Sequence, residues 1–305
     1  MNMVALIAGP TASGKSAVAL KLAERAGGAI INADSAQVYR DLPILSAAPS
    51  REERARVEHR LYGIRDGADP CSAADWAEMA KAEVSDVLMS GRLPILVGGT
   101  GLYIRTLLDG IAPVPTINAD VRRRVRTAGA EANLVDLRKS DSEAAARLNP
   151  NDRIRIARAL EVVLSTGRTL ADWQARREGG IGKDVSLTPL ILLPPRQWLY
   201  ERSDRRFEAM IESGAIEEVE ALLARKLDPS LPIMRAIGVR DIAAFLAGEI
   251  DREEMVRRGS QATRNYAKRQ YTWFSHQPPA DWTRFTGALD EASLPGALAL
   301  LEPRT

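Results

Sequence analysis

The stretch that decides the fold is "GPTASGKS", residues 9–16. It fits the pattern G-x-x-x-x-G-K-[ST], with Gly9, Gly14, Lys15 and Ser16 at the defining positions. The apolar run "MVALIA" before it predicts a buried strand, and "AVALKLAERA" after it predicts a helix. Backbone N–H groups of such a loop can surround an anion, and the helix dipole adds positive charge. The sequence therefore predicts a phosphate-binding loop of the nucleotide-binding (ATP-binding) kind, with Lys15 as a cation and Ser16 as a Mg²⁺ ligand.

Strands and helices alternate on both sides of this loop. "GAIINAD" and "LPILVGG" predict two further strands, and "VSLTPLILLPP" predicts another later in the chain. "SAADWAEMAKAEVSDVLMSG" predicts a helix with Ser72 as N-cap and Asp75 three residues on. Such alternation indicates a parallel sheet with helices on both faces, so we expect an α/β core of the P-loop NTPase type.

The pattern changes after "IAPVPTINADVRRR", where the sequence becomes helical and charged to about residue 178. Residues 119–185 carry 14 Lys and Arg against 10 Asp and Glu, a net charge of +4. Residues 1–118 and 186–305 each carry a net charge of −1. We therefore expect a helical insertion at 119–185 within a core of 1–118 and 186–305. Its positive charge indicates either a solvated helical surface or a face for nucleic acid.

The composition excludes several classes of protein. Cys71 is the single cysteine, so a disulfide within the chain and a zinc site of several cysteines are excluded. Two histidines argue against a His-rich metal centre. No apolar run reaches the ~20 residues of a membrane helix, and the N-terminus lacks the basic region of a signal peptide. We expect a cytoplasmic enzyme without a membrane segment.

The phosphate loop alone does not identify the reaction, because phosphates can be transferred, can supply energy or can be a leaving group. Motor and switch NTPases usually have an apolar strand ending in an Asp that positions the metal. The strand "LPILVGG" carries no acid, and the available carboxylate is Asp34 after "AIINA". At the carboxyl edge of the sheet, Asp34 could accept a proton from an acceptor, or it could be a metal-shell or capping residue. These alternatives stay open on the residues alone.

Further motifs accompany the loop in a fixed order. They are "INADSAQVYRDLPI", "SAADW", "LVGGTGLYIRTLL", "NPNDRIRIARALEVVLSTGRTL", "RAIGVRDI" and "ATRNYAKRQYTWF". With "GPTASGKS" they resemble the bacterial tRNA dimethylallyltransferases, also called tRNA isopentenyltransferases, over about residues 4–274. The resemblance implies transfer of a dimethylallyl group from dimethylallyl diphosphate to N6 of the adenosine immediately 3′ of the anticodon. The tRNAs are those reading codons that begin with U, diphosphate is released, Mg²⁺ is the cofactor, and the enzyme is a monomer.

The resemblance also implies roles for particular residues. It assigns Asp34 as general base, Thr11 as a hydroxyl near the bridging oxygen, and Lys15 and Arg235 as cations near the diphosphate. The implied diphosphate-binding residues are Gly9, Pro10, Thr11, Ala12, Ser13, Gly14, Lys15 and Ser16. The implied tRNA-binding residues are Asp34, Ser35, Ala36, Gln37, Thr100, Arg122, Ile154, Arg155, Ile156, Ala157, Arg158, Arg235, Ala236, Ile237, Gly238, Val239 and Arg240. Ala48 stands where the family commonly has a lysine.

Within the insertion, "NDRIRIARALEVV" predicts a helix that places Arg155 and Arg158 on one face. The apolar residues expected on the opposite, packed face are Ile154, Ala157, Leu160 and Val163. The arginines are expected either to contact RNA phosphates or to pair within the insertion, for instance with Asp152 or Glu161.

Three other functions remain as alternatives to the tRNA enzyme: a small-molecule P-loop kinase, an adenylate isopentenyltransferase acting on free nucleotide, and a non-catalytic RNA-binding P-loop protein. The basic insertion and "NPNDRIRIARALEV" favour tRNA as acceptor. Lys15, Ser16 and Asp34 together argue against a protein without catalysis.

Overall fold

The chain is represented by a computed structural model that describes residues 2–301. Met1 and residues 302–305, the last part of the expected core segment 186–305, lie outside the described residues. Contacts within the chain divide it into two compact units, one up to Leu107 and from Ile181 onward, the other from Leu108 to Gly180. The second unit thus begins and ends earlier in the chain than the expected insertion at 119–185.

Secondary structure alternates in the first unit and is helical in most of the second. The strands are β1 Met3–Ala8, β2 Ala29–Asn32, β3 His59–Arg60, β4 Pro94–Gly98, β5 Ser186–Leu192 and β6 Thr283–Phe285. The helices are α1 Lys15–Ala26, α2 Arg51–Arg56, α3 Ala73–Met89, α4 Gly101–Asp109, α5 Ala119–Thr127, α6 Ala130–Ser140, α7 Ser142–Arg147, α8 Arg153–Thr166, α9 Leu170–Gln174, α10 Arg196–Glu212, α11 Ala215–Ala224, α12 Val239–Leu246, α13 Arg252–His276 and α14 Leu294–Ala299. In the part of the chain that is described, no helix combines the length and apolar character needed to cross a membrane.

The strands form one parallel sheet in the order β3-β2-β4-β1-β5-β6. In its centre, Leu6 of β1 is paired with Leu96 of β4 and Pro189 of β5. Strands β2 and β4 are buried along their whole length, as expected when helices cover both faces of a sheet. The α/β class predicted from the alternation is confirmed. The loops that follow β1, β2 and β4 meet at one edge of the sheet, where ligands bind in such folds.

The two edge strands were not predicted from the sequence. Strand β3 has two residues and β6 has three, and each pairs with a single neighbour. Such short segments carry too few residues for a recognisable period.

The end of β2 is held by an aromatic pair from two helices. Helix α3 begins with the predicted capping box between Ser72 and Asp75. Its buried Trp76 donates an indole hydrogen bond to the Asn32 carbonyl at 2.9 Å. The Trp76 ring also stacks on Tyr103 of α4, with ring centroids 4.6 Å apart. Because Asn32 ends β2, this packing fixes the backbone two residues before Asp34.

The second unit has an apolar core of its own. Val125 of α5, Leu137 of α6 and Ile156 of α8 belong to one buried cluster. Glu161 is also buried, at 3% exposed, and its carboxylate accepts a hydrogen bond from Arg126 Nε at 3.1 Å. A buried carboxylate without such a partner would be destabilising.

Helix α8 packs in a different register from the one predicted. Ile154, expected on the packed face, is 76% exposed, whereas Ile156 is fully buried. Leu160 is buried as expected, and Ala157 and Val163 are partly buried against the same cluster. The expected face was therefore wrong at Ile154, because the neighbouring helices offer their apolar surface to Ile156.

Candidate active site

The phosphate loop has the backbone of an anion-binding turn. Gly14 adopts φ +94°, in the left-handed region that favours glycine, and a Cβ there would overlap the Leu289 side chain. Helix α1 begins at Lys15, so the first N–H groups of the helix have no partner within it. The buried Ser13 Oγ has no hydrogen-bond partner among residues 2–301. Unpaired donors at the start of a helix are the groups that hold a phosphate.

Lys15 is held close to this loop. Its ammonium group donates a hydrogen bond to the Pro10 carbonyl at 3.3 Å. Burial lowers the pKa of Lys15 to about 8, against the opposing effect of Asp34 and with a smaller lowering by Arg206. The charged form of such a lysine is disfavoured in the empty site and is stabilised when an anion binds next to it. Lys15 is therefore suited to a diphosphate.

Asp34 is oriented by the backbone around it. The Asp34 N–H donates to Asn32 Oδ1 at 2.8 Å, and Asp34 Oδ1 accepts the N–H of Ala36 at 3.0 Å. These two bonds fix the turn after β2 and the plane of the carboxylate. One carboxylate oxygen thus caps the turn by accepting the Ala36 N–H, which was one of the open alternatives for Asp34.

Two neighbours of Asp34 serve mainly to hold loops together. Thr100 Oγ1 accepts the N–H of Ser35 at 2.9 Å and donates to Ser35 Oγ at 3.2 Å. The Gln37 side-chain amide donates to the carbonyls of Ser46 and Ala47 at 3.0 and 2.7 Å. Thr100 and Gln37, expected as tRNA contacts, therefore hold the loops around Asp34 in this structure.

Two cavities of the first unit meet at the phosphate loop. The Asp34 cavity has a volume of about 300 Å³, and Thr11, Asp34 and Arg206 contribute to its wall. The Lys15 cavity has a volume of about 680 Å³ and includes Lys15, Ser16 and Arg206. Arg206 lines both cavities, so one guanidinium group lies between the phosphate loop and the Asp34 carboxylate. Ala48, in place of the family lysine, lies on the wall of the Lys15 cavity.

The Asp34 cavity is apolar over much of its wall. Its apolar side chains come from the loop after β2, from α10, and from the segment before α12. They are Leu42, Leu45, Phe207, Met210, Ile233 and Ile237. Tyr266 of α13 also lines it, and burial together with the nearby Asp34 charge raises the pKa of this phenol. The cavity therefore offers apolar and aromatic surface beside a single carboxylate.

Arg206 lines both cavities and is a candidate site residue that sequence reasoning missed. It lies on α10, half-buried, and burial lowers its pKa while Asp34 raises it. Arg202, one turn earlier on the helix, and the adjacent Arg205 line the same Lys15 cavity. The signal was present in "RSDRRF", because spacing of three and four residues places all three arginines on one helical face.

Arg235, expected near the diphosphate, lines the Asp34 cavity and is not among the residues that line the Lys15 cavity. It ends a 3₁₀ turn, Ile233–Arg235, and is an exposed residue on the wall of the Asp34 cavity. Ala236 and Ile237 also line this cavity, and Arg240 is exposed. Gly238 and Val239 are buried, so the expected tRNA contact by these two does not agree with their burial.

The tRNA-contact residues expected in the second unit also include both exposed and buried side chains. Arg122 on α5 and Arg155 on α8 are exposed, and Arg155 Nε lies 3.5 Å from an Asp152 carboxylate oxygen. Ile156 is buried in the unit's core and is not available to a partner. Partial burial lowers the pKa of Arg158, Glu161 raises it, and the charges of Arg122 and Arg126 lower it further. Arg122 and Arg158 therefore lie close enough to form one basic cluster.

A magnesium ion would find a limited set of protein ligands here. Among residues 2–301 there is no group of three or more acidic, histidine or cysteine side chains that could hold a metal. The exposed hydroxyl of Ser16 at the start of α1 opens onto the Lys15 cavity. Mg²⁺ commonly keeps several waters and is held by few protein groups together with substrate phosphates. The residues present fit that mode of binding.

These features define a class of protein. A phosphate loop, no acid on the adjacent strand β4, and a carboxylate facing an apolar cavity describe a P-loop enzyme that activates a phosphate-bearing substrate for attack by an acceptor. The family model described as IPP transferase matches residues 37–277. The chain therefore belongs to the IPP transferase family of prenyl-transferring enzymes, which confirms the resemblance seen in its motifs.

Individual relatives agree with this assignment. The tRNA dimethylallyltransferase of Erythrobacter litoralis is 61% identical over 286 residues, covering 92% of this chain and 90% of that protein. The enzyme of the same name from Novosphingobium aromaticivorans is 60% identical, covering 89% of this chain and 97% of its own.

Solved structures show the same architecture. A full-length tRNA isopentenylpyrophosphate transferase from Bacillus halodurans superimposes with a TM-score of 0.68 at 32% identity, covering 98% of this chain and 97% of that one. A eukaryotic dimethylallyltransferase acting on tRNA superimposes with a TM-score of 0.78 at 27% identity, covering 89% and 69% of the two chains.

Proposed function

We propose that this chain transfers the dimethylallyl group of dimethylallyl diphosphate to N6 of the adenosine immediately 3′ of the anticodon. The tRNAs are those that read codons beginning with U, and diphosphate is the second product. The observation that carries the proposal is Arg206, which lines both the Lys15 cavity and the Asp34 cavity. One cation thus joins a site for an anionic leaving group to a site with a carboxylate base.

The donor binds in the Lys15 cavity with its diphosphate on the phosphate loop. As the allylic C–O bond breaks, its electron pair leaves with the diphosphate, and negative charge grows there. Lys15, Arg206 and the N–H groups at the start of α1 stabilise this charge. Thr11 lines the adjoining Asp34 cavity, and its hydroxyl is assigned to the bridging oxygen of the diphosphate.

The acceptor adenine enters the Asp34 cavity. It must leave the anticodon stack to do so, as bases do in other base-modifying enzymes. The N6 nitrogen forms a bond to the allylic carbon and loses a proton. The Asp34 carboxylate accepts that proton and later releases it to water, which keeps atoms and charge in balance. The Tyr266 ring and the apolar wall suit a planar base and an isoprenoid group.

Magnesium fits this scheme at Ser16. Its hydroxyl, with diphosphate oxygens and water, would hold the ion beside the loop. When bound, Mg²⁺ supplies positive charge to the leaving diphosphate.

We further propose that the second unit binds the anticodon stem-loop. Residues 108–180 contain 13 Lys and Arg against 10 Asp and Glu, and Arg122 and Arg158 form a basic cluster there. Cationic clusters of this kind bind phosphate backbones. A tRNA substrate implies action in the cytoplasm, and we expect the enzyme to act as a monomer.

The test is a transfer assay with labelled dimethylallyl diphosphate, Mg²⁺ and unmodified tRNA. We expect label in a tRNA with adenosine 3′ of the anticodon and none in a matched tRNA with guanosine at that position. Label in AMP but not tRNA would identify an adenylate isopentenyltransferase. Phosphate transfer from labelled ATP to a nucleoside, without prenyl transfer, would identify a kinase. Tight tRNA binding without transfer to any acceptor would indicate a non-catalytic RNA-binding protein.

A further inference from the structure

We propose that Gln270 is a positioning residue that sets the placement of the donor loop relative to the Asp34 base. The inference rests on the proposed function and adds a residue that is not among those lining the Asp34 cavity or the Lys15 cavity. Gln270 lies in the C-terminal part of α13 and is buried, at 5% exposed. Its side-chain amide bridges two loops at the carboxyl edge of the sheet.

The bridge consists of two hydrogen bonds of good length. Gln270 Oε1 accepts the backbone N–H of Thr11 at 2.7 Å, in the phosphate loop after β1. Gln270 Nε2 donates to the carbonyl of Gly99 at 2.8 Å, in the loop after β4. A Cβ on Gly99 would overlap this amide nitrogen, so the absence of a side chain at Gly99 leaves the space that Gln270 fills.

Each bridged loop leads directly to a reacting group. The residue after Gly99 is Thr100, whose hydroxyl holds the Ser35 N–H next to Asp34. Thr11 lines the Asp34 cavity with its own side chain, and its N–H is occupied by Gln270. Gln270 therefore fixes the spacing between Thr11 on the donor side and Asp34 on the acceptor side.

Loss of the bridge should affect the chemical step more than binding. Lys15, Arg206 and the start of α1 would still hold a diphosphate, because none of them contacts the Gln270 amide in the contacts described. A displacement of about 1 Å between reacting groups can cost about 10²-fold in rate. We therefore expect a fall in kcat with nearly unchanged KM for donor and tRNA.

The experiment compares Gln270→Met with Gln261→Met in the full chain. Methionine is close to glutamine in size but cannot form either bridge bond. Gln261 lies on the same helix but is exposed, and its side chain contacts only Arg264 and Asn265 among the hydrogen bonds seen here. We expect single-turnover transfer to fall about 10²-fold in Gln270→Met and to stay at the wild-type rate in Gln261→Met.

A second variant, Gln270→Glu, serves if the methionine variant fails to fold. Protonated glutamate can accept from Thr11 N–H and donate to the Gly99 carbonyl, whereas the ionised form places a negative oxygen against that carbonyl. The rate of this variant divided by the wild-type rate should therefore fall as the pH rises. Effects of pH on other groups cancel in this ratio.

The results separate this inference from the proposed function. If the wild-type chain does not modify tRNA, the proposed function is wrong. If the wild type is active, equal rates for Gln270→Met and Gln261→Met would overturn the positioning role, as would a pH-independent Gln270→Glu ratio close to one. A rise in donor KM at unchanged kcat would also overturn it, because Gln270 would then act in binding.

Discussion

Helices α10 and α8 both carry arginines about one helical turn apart, but the surroundings of these arginines differ. On α10, Arg202 and Arg206 line the Lys15 cavity, and burial lowers the pKa of each. On α8, Arg155 keeps 76% of its side chain exposed and has Asp152 at 3.5 Å. Arginines about one turn apart thus line a cavity in one unit and, at Arg155, form an exposed charged surface in the other.

The difference shows that burial decides what a positive charge can do. A half-buried cation acts strongly on a small anion next to it, because the surroundings screen little. An exposed cation acts on many phosphates weakly and loses most of its effect in salt. We therefore expect changes around α10 to alter the chemistry, and changes on α8 to alter the salt dependence of tRNA binding.

The largest effect should come from Asp34→Asn, which tests whether the Asp34 cavity, lined in part by α10, holds a reaction centre at all. Asparagine can still accept the Ala36 N–H, so the turn should persist, but it cannot take the N6 proton. Single-turnover transfer should fall by about 10²- to 10⁴-fold, with donor and tRNA binding retained. A rate within a few-fold of wild type would remove Asp34 from the mechanism.

Arg206→Ala should have the next largest effect. Removing a preorganised group that stabilises developing charge costs about 10²- to 10³-fold in rate. The matched control is Arg196→Ala on the same helix, where the exposed guanidinium lies over the Tyr271 ring, 4.8 Å from its centroid. Equal activity of Arg206→Ala and Arg196→Ala would show that Arg206 does not stabilise the charge on the leaving diphosphate.

Much of the core could be predicted from the sequence. The run "MVALIA" is β1 without error in its bounds, and Ser72 caps α3 as its spacing indicated. Both follow from local rules, because a continuous apolar run and a capping box depend on nearby residues. The motif at Gly14 and Lys15 likewise predicts a turn followed by the start of a helix, which is what the structure has. The same holds for Asp34, which follows a recognisable strand.

The rest depends on contacts that the sequence does not contain. Ile154 and Ile156 are both apolar, and a period of 3.6 residues allows either on the packed face of α8. In the fold, Ile156 is the one that packs against the apolar side chains of α5 and α6. Likewise, the spacing in "RSDRRF" indicates a shared face, but only the fold shows that this face meets the phosphate loop. Gln270 lies 259 residues from its partner Thr11, beyond any local pattern.

A smaller effect is expected in the pH dependence that Lys15 confers. In the free enzyme the pKa of Lys15 is lowered to about 8, so the charge is present below that pH and is lost above it. The kcat/KM for the donor should fall up to about tenfold per pH unit above 8, whereas kcat should persist to higher pH because bound diphosphate favours the charged form.

The Lys15→Arg variant tests whether loss of the Lys15 charge causes this fall in kcat/KM. Arginine stays protonated throughout this range, so any donor use that the variant retains should lack the fall near pH 8. If wild-type kcat/KM stays level to pH 9.5, about one and a half units above the pKa, the charge of Lys15 does not limit donor capture.

The smallest effect, and the one that tests α8, concerns the basic cluster of Arg122 and Arg158. Burial lowers the pKa of Arg158, Glu161 opposes that effect, and the charges of Arg122 and Arg126 lower it further, so an anion beside these side chains would relieve repulsion. Replacing both with alanine should leave the second unit folded, because Arg126 still pairs with the buried Glu161. Each lost phosphate contact should reduce the slope of log affinity against log salt by about 0.7 to 0.9.

The controls for this last prediction come from the same unit. Arg155→Ala removes an exposed arginine that has Asp152 beside it, and a pair of that kind contributes only about 0–1 kcal/mol to stability. Its slope should therefore change by less than that of the double variant. Arg126→Ala leaves Glu161 buried without its partner and should lower the melting temperature instead.

The donor KM should stay the same in the double variant, since the donor site lies in the first unit. An unchanged salt slope in a well-folded Arg122→Ala, Arg158→Ala protein would show that this cluster does not bind the tRNA backbone, and the positive charge of the unit would then be a solvated surface.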